Sequence, residues 1–85
     1  MPTISSFLGI DITIRLREHN PPHFHATYAG EDMSVNIHTF EIDGTPSPRI
    51  RAILLEWADL HREELLAAWE AIKAGKNPGK IAPLR

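Results

Sequence analysis

The first half of the chain alternates between apolar and polar residues, which is the pattern of β-strands. Apolar residues fall at every second position over 10–17, and segments 23–29 and 33–39 repeat this alternation. A period of two places neighbouring side chains on opposite faces of a sheet. The pattern therefore predicts three strands with one apolar and one polar face, and segment 3–7 predicts a short fourth strand at the edge.

A tight turn is expected between the second and third of these segments. Gly30-Glu31 lies between them, and glycine in first position suits a two-residue type II′ turn. That turn places His23 opposite His38. Two residues nearer the turn, it places His25 opposite Asn36. A slip by one residue would set every apolar residue opposite a polar one, so the register is expected to be specific.

The second half of the chain changes to the apolar spacing of helices. Ser47 followed by Pro48 is typical of a helix start, and Gly75 is typical of a helix end. One helix over 48–74 would be about 40 Å long at roughly 1.5 Å per residue. A domain of this size has a radius of gyration of only roughly 12 Å. The apolar positions also form two stripes that point in different directions, so we predict two helices with a break at 59–61.

These patterns together predict a single α+β domain over residues 1–85. Its expected architecture is a small antiparallel β-meander of three to four strands, with two C-terminal helices packed on one face. Trp57 and Trp69 lie on the apolar stripes of the helices and are expected in the core. His61 falls at the predicted helix break, where a capping or core-edge role is expected. The parts of the domain are a β half, a helical half and a basic tail, at residues 1–45, 47–75 and 76–85.

Composition narrows the class of protein. Hydrophobic residues make up 42% and charged residues 24% of the 85 residues, as in ordinary soluble domains. No apolar run approaches the roughly 18 residues that span a bilayer, and the N-terminus lacks the features of a signal peptide. The chain contains no cysteine, which excludes disulfides, thiolate catalysis and cysteine-based zinc sites. We therefore expect a cytoplasmic protein.

Charge is distributed unevenly along the chain. The formal net charge is −2, which argues against a general nucleic-acid binder. Acidic residues dominate 1–45, whereas basic residues outnumber acidic ones over 46–85. The final stretch, from Lys73 to Arg85, contains no acidic residue. This stretch is expected either to be solvated or to contact an acidic partner.

Polar side chains converge on the face of the predicted sheet that the helices leave open, away from Trp57 and Trp69. No carboxylate is expected near the basic groups on this face. The loop 18–22 joins the first strand to the second, which brings Arg15 near His25 and Arg17 near His23. His19 and Asn20 lie in that loop, at the end of the polar face. The candidate binding residues are therefore Arg15, Arg17, His19, Asn20, His23, His25, Asn36 and His38.

The segment HNPPHFHA at 19–26 also carries a family resemblance. Together with the opening MPTIS, the segment LLEWADLHREELLAAWE and the closing GKNPGKIAPL, it resembles the small bacterial proteins of the Domain of Unknown Function 4160 family. The resemblance covers nearly the whole chain. It implies that residues 19–25 are the family hallmark, without assigned roles. It also implies that a second small protein is encoded beside this one, and hence that the two form a toxin–antitoxin pair.

Three interpretations of the histidine-rich segment remain open. In the first, His19 and Asn20 hydrogen-bond backbone groups around a turn at Pro21-Pro22, where the bond before Pro21 suits the cis form. His23 and His25 are then simply exposed strand residues. In the second, the polar face binds an anion. In the third, it binds zinc through His23, His25 and His38, although two arginines would repel a cation. Only this third interpretation requires a cofactor.

Anion binding is the interpretation we favour, with RNA as the expected partner. Imidazoles can act as general base and general acid near neutral pH, and arginine can hold a phosphate through two hydrogen bonds. RNA cleavage through its own 2′-hydroxyl needs such an acid–base pair and a cation. His23 and His38 are the expected pair, with His25 beside them. The sequence leaves open whether catalysis follows binding. The competing class is a protein-interaction module whose C-terminal basic stretch, from Lys73 to Arg85, docks on an acidic partner.

Overall fold

The computed structural model describes residues 3–15 and 20–84, which form a five-stranded antiparallel sheet and two helices. The strands follow one another across the sheet in chain order, as a meander. They are β1 (Thr3–Phe7), β2 (Ile10–Thr13), β3 (His23–Tyr28), β4 (Glu31–Asn36) and β5 (Ile42–Asp43). The predicted α+β class and edge strand are confirmed. The strand count is five rather than three to four, because Ile42 and Asp43 form a short additional strand that pairs with β4 at the edge of the sheet.

Two helices follow, as predicted. Helix α1 spans Pro48–Leu60 and α2 spans Arg62–Lys73, with only His61 between them. The Ser47 hydroxyl accepts a hydrogen bond from the Ile50 amide at 3.3 Å, which caps the start of α1. At the end of α2, Gly75 adopts a φ of 75° and the last helical carbonyls accept bonds from residues 75 and 76. Among the described residues, neither helix has the length and apolar character needed to cross a membrane.

The core lies between the apolar face of the sheet and the helices. The Trp57 ring lies 5.3 Å from the Phe7 ring and 5.7 Å from the Phe24 ring, centroid to centroid. Trp69 is also buried, so both tryptophans occupy the core as predicted. Further buried apolar side chains alternate along β2, β3 and β4 and the residues that follow β2 and β4, at Ile10, Ile12, Ile14, Ala26, Met33, Val35 and Ile37. The alternating pattern therefore identified the buried face correctly.

The register of the β3–β4 hairpin differs from the prediction by two residues. Tyr28 pairs with Glu31, so the turn is formed by Ala29 and Gly30 rather than by residues 30–31. Ala29 has a φ of 52° and Gly30 a φ of 82°. Positive φ at both central positions is the geometry of a type I′ turn, which matches the twist of the flanking strands. The turn therefore begins one residue earlier than predicted, and every cross-strand pair shifts by two.

A side-chain cap ends β4 at Asn36. Its Oδ1 accepts hydrogen bonds from the backbone amides of His38 and Thr39, at 2.8 and 2.9 Å. The chain then turns through 37–39 and returns, with the Asn36 amide donating to the Glu41 carbonyl at 2.9 Å. The predicted strand over 33–39 therefore stops at residue 36, because the amide side chain offers the backbone a turn in place of the ladder. His38 lies in this turn and is exposed.

The segment after α2 crosses back to the first strand and covers its open edge. The Ile81 amide donates to the Ile4 carbonyl at 2.7 Å, and the Lys80 ammonium donates to the Thr3 carbonyl at 2.6 Å. The Trp57 indole N–H donates to the Ala82 carbonyl at 2.9 Å, and the Ile81 side chain is buried. We call residues 76–84 the C-terminal strap. A free strand edge is a template for unwanted pairing, and the strap occupies it.

Replacing Ala29 by asparagine is expected to stabilise the protein. Asparagine tolerates positive φ better than alanine, and Asn-Gly is the preferred pair for a type I′ turn. We expect Ala29→Asn to raise the free energy of unfolding by about 0.5–1 kcal/mol. Urea denaturation measures this change, with Glu31→Gln, at the end of the same turn, as the control. A destabilised Ala29→Asn would contradict the type I′ assignment.

Asn36 is expected to be needed for stability because of its cap. Asn36→Ala removes the acceptor of two backbone amides and should cost about 1–2 kcal/mol in the free energy of unfolding. Asn36→Asp keeps an oxygen at the same place and should retain most of that stability. Thermal or urea unfolding of the two variants separates them. Equal loss in both would show that the cap does not support the turn.

Candidate functional site

The polar face of the sheet holds some of the predicted residues and not others. His23 and His25 lie on β3, and Arg15 lies two residues beyond the end of β2. Asn20 is exposed in the bend before β3, and its peptide bond to Pro21 is cis, as the sequence allowed. Two further candidates, Arg17 and His19, lie outside the described residues. The site is therefore built here from Arg15, His23, His25 and the side chains around them.

His23 begins β3, and its ring lies at the end of the sheet. Its Nδ1 lies 2.9 Å from the Pro21 carbonyl oxygen. A carbonyl oxygen can only accept, so Nδ1 carries the proton and Nε2 keeps a lone pair in the neutral ring. The ring also lies 5.2 Å from the Trp69 ring of α2. The prediction that His23 lies away from both tryptophans is therefore wrong. Strand parity assigns a face only within a strand, and His23 is the first residue of β3.

His25 is buried, although its position in the alternation belongs to the polar face. Its relative exposure is 8%, and its Nδ1 lies 3.6 Å from Oδ2 of Asp32 on β4. That distance is longer than a hydrogen bond but short enough for attraction between an imidazolium and a carboxylate. The His25 ring meets the His23 ring edge to face at 5.1 Å. We call His23 and His25 the histidine pair.

Asp32 is the residue that the sequence reasoning missed. The Arg15 guanidinium forms an ion pair with Asp32 through Nη2 and Oδ2 at 2.7 Å. The Thr27 hydroxyl lies 3.4 Å from the other carboxylate oxygen, and Thr27 stands directly opposite Asp32 in the hairpin. The expectation of a basic face without nearby acids is therefore wrong. The correct register would have placed Asp32 opposite Thr27 and beside His25.

The same shift in register separates His38 from His23. Asn36, not His38, lies opposite His23, and Ser34, not Asn36, lies opposite His25. The structure therefore does not bring together the predicted pair of His23 and His38. Within residues 3–15 and 20–84, no group of three or more histidine or carboxylate side chains is placed to hold a metal ion. The Asn36 oxygen, proposed from the sequence as a binding group, is engaged by the turn after β4.

A shallow cleft of about 220 Å³ opens beside the histidine pair. It lies on the β5 side of the sheet, where the short edge strand leaves the end of β4 accessible. His23 is the imidazole that reaches it, and two carboxylates flank it. The lining residues are Pro21, His23, Ser34, Asn36, Glu41 and Asp43. This cleft suits a small polar ligand that can contact an imidazole, a hydroxyl and an amide together.

Comparison with known proteins identifies one family. A family model described as a domain of unknown function, DUF4160, matches residues 9–70. No curated protein and no solved structure gives a significant match. The match begins just before β2 and ends within α2, so it includes the described part of the candidate site. Since it covers more than half of the chain, this protein belongs to the Domain of Unknown Function 4160 family.

Proposed function

We propose that the protein binds a phosphodiester anion, RNA in particular, at the histidine pair. In this proposal His23 acts as the general base and His25 as the general acid. His25 replaces His38 of the sequence-based pair, because it is His25 that lies against His23. The observation that carries the proposal is this contact of two imidazoles, 5.1 Å apart, whose ring nitrogens face different partners.

The two rings face different partners. The Pro21 carbonyl lies 2.9 Å from Nδ1 of His23, so the lone pair of the neutral His23 ring is on Nε2. The Asp32 carboxylate lies 3.6 Å from Nδ1 of His25, so a negative charge faces the ring to which we assign the role of the acid. A base and an acid side by side are what general acid–base catalysis requires. No other two histidines among the described residues are in ring contact.

The proposed reaction is cleavage of RNA by its own 2′-hydroxyl. His23 Nε2 takes the hydroxyl proton as the 2′-oxygen forms a bond to phosphorus. The bond from phosphorus to the 5′-oxygen breaks, and that oxygen takes a proton from the His25 imidazolium. Arg15 lies on the same face and supplies a cation for the charge on the phosphate oxygens. The products are a cyclic phosphate and a free 5′-hydroxyl.

Charge limits how much RNA the site can hold. Asp32 already balances Arg15, and the cleft beside His23 has Glu41 and Asp43 in its lining. A long run of phosphates would meet these carboxylates, whereas a single phosphodiester at the histidine pair would not need to cross them. We therefore propose contact with one or two phosphates. RNA cleavage of this kind would suit a toxin–antitoxin pair, which is the setting that the family resemblance implies.

Loss of either histidine is expected to slow cleavage by about 10²–10⁴-fold, the usual contribution of one acid–base group. The measurement is cleavage of a short single-stranded RNA by wild type, His23→Ala and His25→Ala. Arg51→Ala, which removes an exposed cation from α1, is the matched control and should retain the wild-type rate. His38→Ala distinguishes the two pairings, since only the sequence-based pair predicts that it loses activity.

Binding of the same RNA separates the proposal from its competitor. Arg15→Ala should weaken binding, most strongly at low salt, where phosphate contacts contribute most. If wild type and a His23→Ala, His25→Ala double variant bind equally, or neither binds, the histidine pair is not the functional surface. The protein-interaction module then becomes the better proposal. In that case the exposed residues Lys73 and Lys76 are the first to test, because Lys80 is held by Thr3.

A further inference from the structure

We infer that a second cleft, at the opposite end of β3 from the histidine pair, binds the guanidinium group of an arginine side chain from a partner polypeptide. It lies between the hairpin turn and the start of α1 and has a volume of about 110 Å³. Its lining includes Tyr28, Glu31 and Met33 from the hairpin and residues 45–47, which lead into α1. We call it the hairpin cleft. The inference goes beyond the proposed function and does not depend on it, because none of these residues belongs to the histidine site.

The charge of the hairpin cleft comes from Glu31. Within residues 3–15 and 20–84, no cationic side chain forms an ion pair with its carboxylate, whereas Asp32 beside it is paired with Arg15 at 2.7 Å. Glu31 stands directly opposite Tyr28 in the hairpin, so the two side chains start on the same face from β-carbons roughly 5 Å apart. A carboxylate beside an aromatic ring offers a cation an ion pair and a cation–π contact together.

The start of α1 also borders the cleft, and a helix N-terminus ordinarily favours an anion. This one has few N–H groups to offer. Pro48 has no amide hydrogen. The Ile50 amide donates to the Ser47 hydroxyl at 3.3 Å, and the next amide along the chain donates to the Ser47 carbonyl at 2.9 Å. Because an anion would also meet the Glu31 carboxylate, the cleft suits a cation held by Glu31 better than an anion held by the helix.

Apolar walls limit the size of the group that can enter the cleft. Met33 and Ile50 line it and are only 5% and 2% exposed. The chain packs tightly against this wall at Gly44, where a β-carbon would lie 2.9 Å from Cγ of Met33. An apolar cavity of roughly 150 Å³ holds one benzene molecule, so the smaller hairpin cleft takes a single planar group. The rest of the ligand must lie outside, as it does when one side chain of a polypeptide enters a pocket.

These features favour a guanidinium over an ammonium group. A guanidinium is planar, stacks on an aromatic ring and bonds a carboxylate through two N–H groups, as Tyr28 and Glu31 require. It is also more weakly hydrated than an ammonium, so placing it beside Met33 and Ile50 costs less. Thr45 lines the cleft as well, and its hydroxyl can accept a further N–H. The cleft therefore fits an arginine side chain better than a lysine side chain.

The test is an NMR titration of the full chain at low salt with two blocked tripeptides, one with arginine and one with lysine between two glycines. The arginine peptide should bind about threefold more tightly than the lysine peptide. The Tyr28 ring, the Glu31 amide and the Met33 methyl signals should shift on binding. The ring signals of His23 and His25 should stay in place, because those residues lie at the other end of β3.

Variants identify the groups that hold the peptide. Glu31→Gln removes the charge and should weaken binding of the arginine peptide about fivefold. Tyr28→Leu removes the ring and should weaken it about threefold, whereas Tyr28→Phe keeps the ring and should bind as wild type does. Glu70→Gln is the matched control, because Glu70 is an exposed carboxylate on α2 that does not line the cleft.

Three results would overturn the inference. They are no binding of the arginine peptide, equal binding of the two peptides, and equal weakening by Glu31→Gln and Glu70→Gln. None of them bears on RNA cleavage at the histidine pair, so the inference and the proposed function fail separately.

Discussion

The turn at Ala29-Gly30 sets the register on which the polar face depends. Both residues have positive φ, and the resulting type I′ geometry makes Tyr28 and Glu31 the first pair of the hairpin. Every later pair follows from that one, including the alignment of Thr27 with Asp32. Because Asp32 is held in this place, one carboxylate lies within reach of an arginine from one side and a histidine from the other. The chemistry proposed for the polar face therefore depends on the geometry of a two-residue turn.

Much of the fold could be predicted from the sequence because each feature has a local cause. Alternation identified the buried face of the sheet, and the divergent apolar stripes identified the break at His61. The register could not be obtained in the same way. A shift by two residues returns every side chain to its original face, so alternation cannot detect it. The turn type was the only local evidence, and alanine at Ala29 gives no sign of the positive φ that it adopts.

The candidate site was predicted only in part, for the same physical reason. The face was found, but its pairs and its charges depended on the register, so Asp32 was missed and His38 was given the wrong neighbour. The strand end caused a second error. His23 packs against Trp69 because the first residue of a strand lies beside the layer that covers the sheet's end. Parity describes the middle of a strand well and its first residue poorly.

The C-terminal strap has a consequence for how the chain folds. All four strand pairings join segments that are neighbours in sequence, and such local hairpins form quickly. The contact between Lys80 and Thr3, in contrast, spans 77 residues. Closing it carries the largest loop entropy among the contacts described, so it is expected to follow the hairpins. Until then, the outer edge of β1 stays open and able to pair with another chain. The interval before closure is therefore the period in which this small domain is most exposed to misassembly.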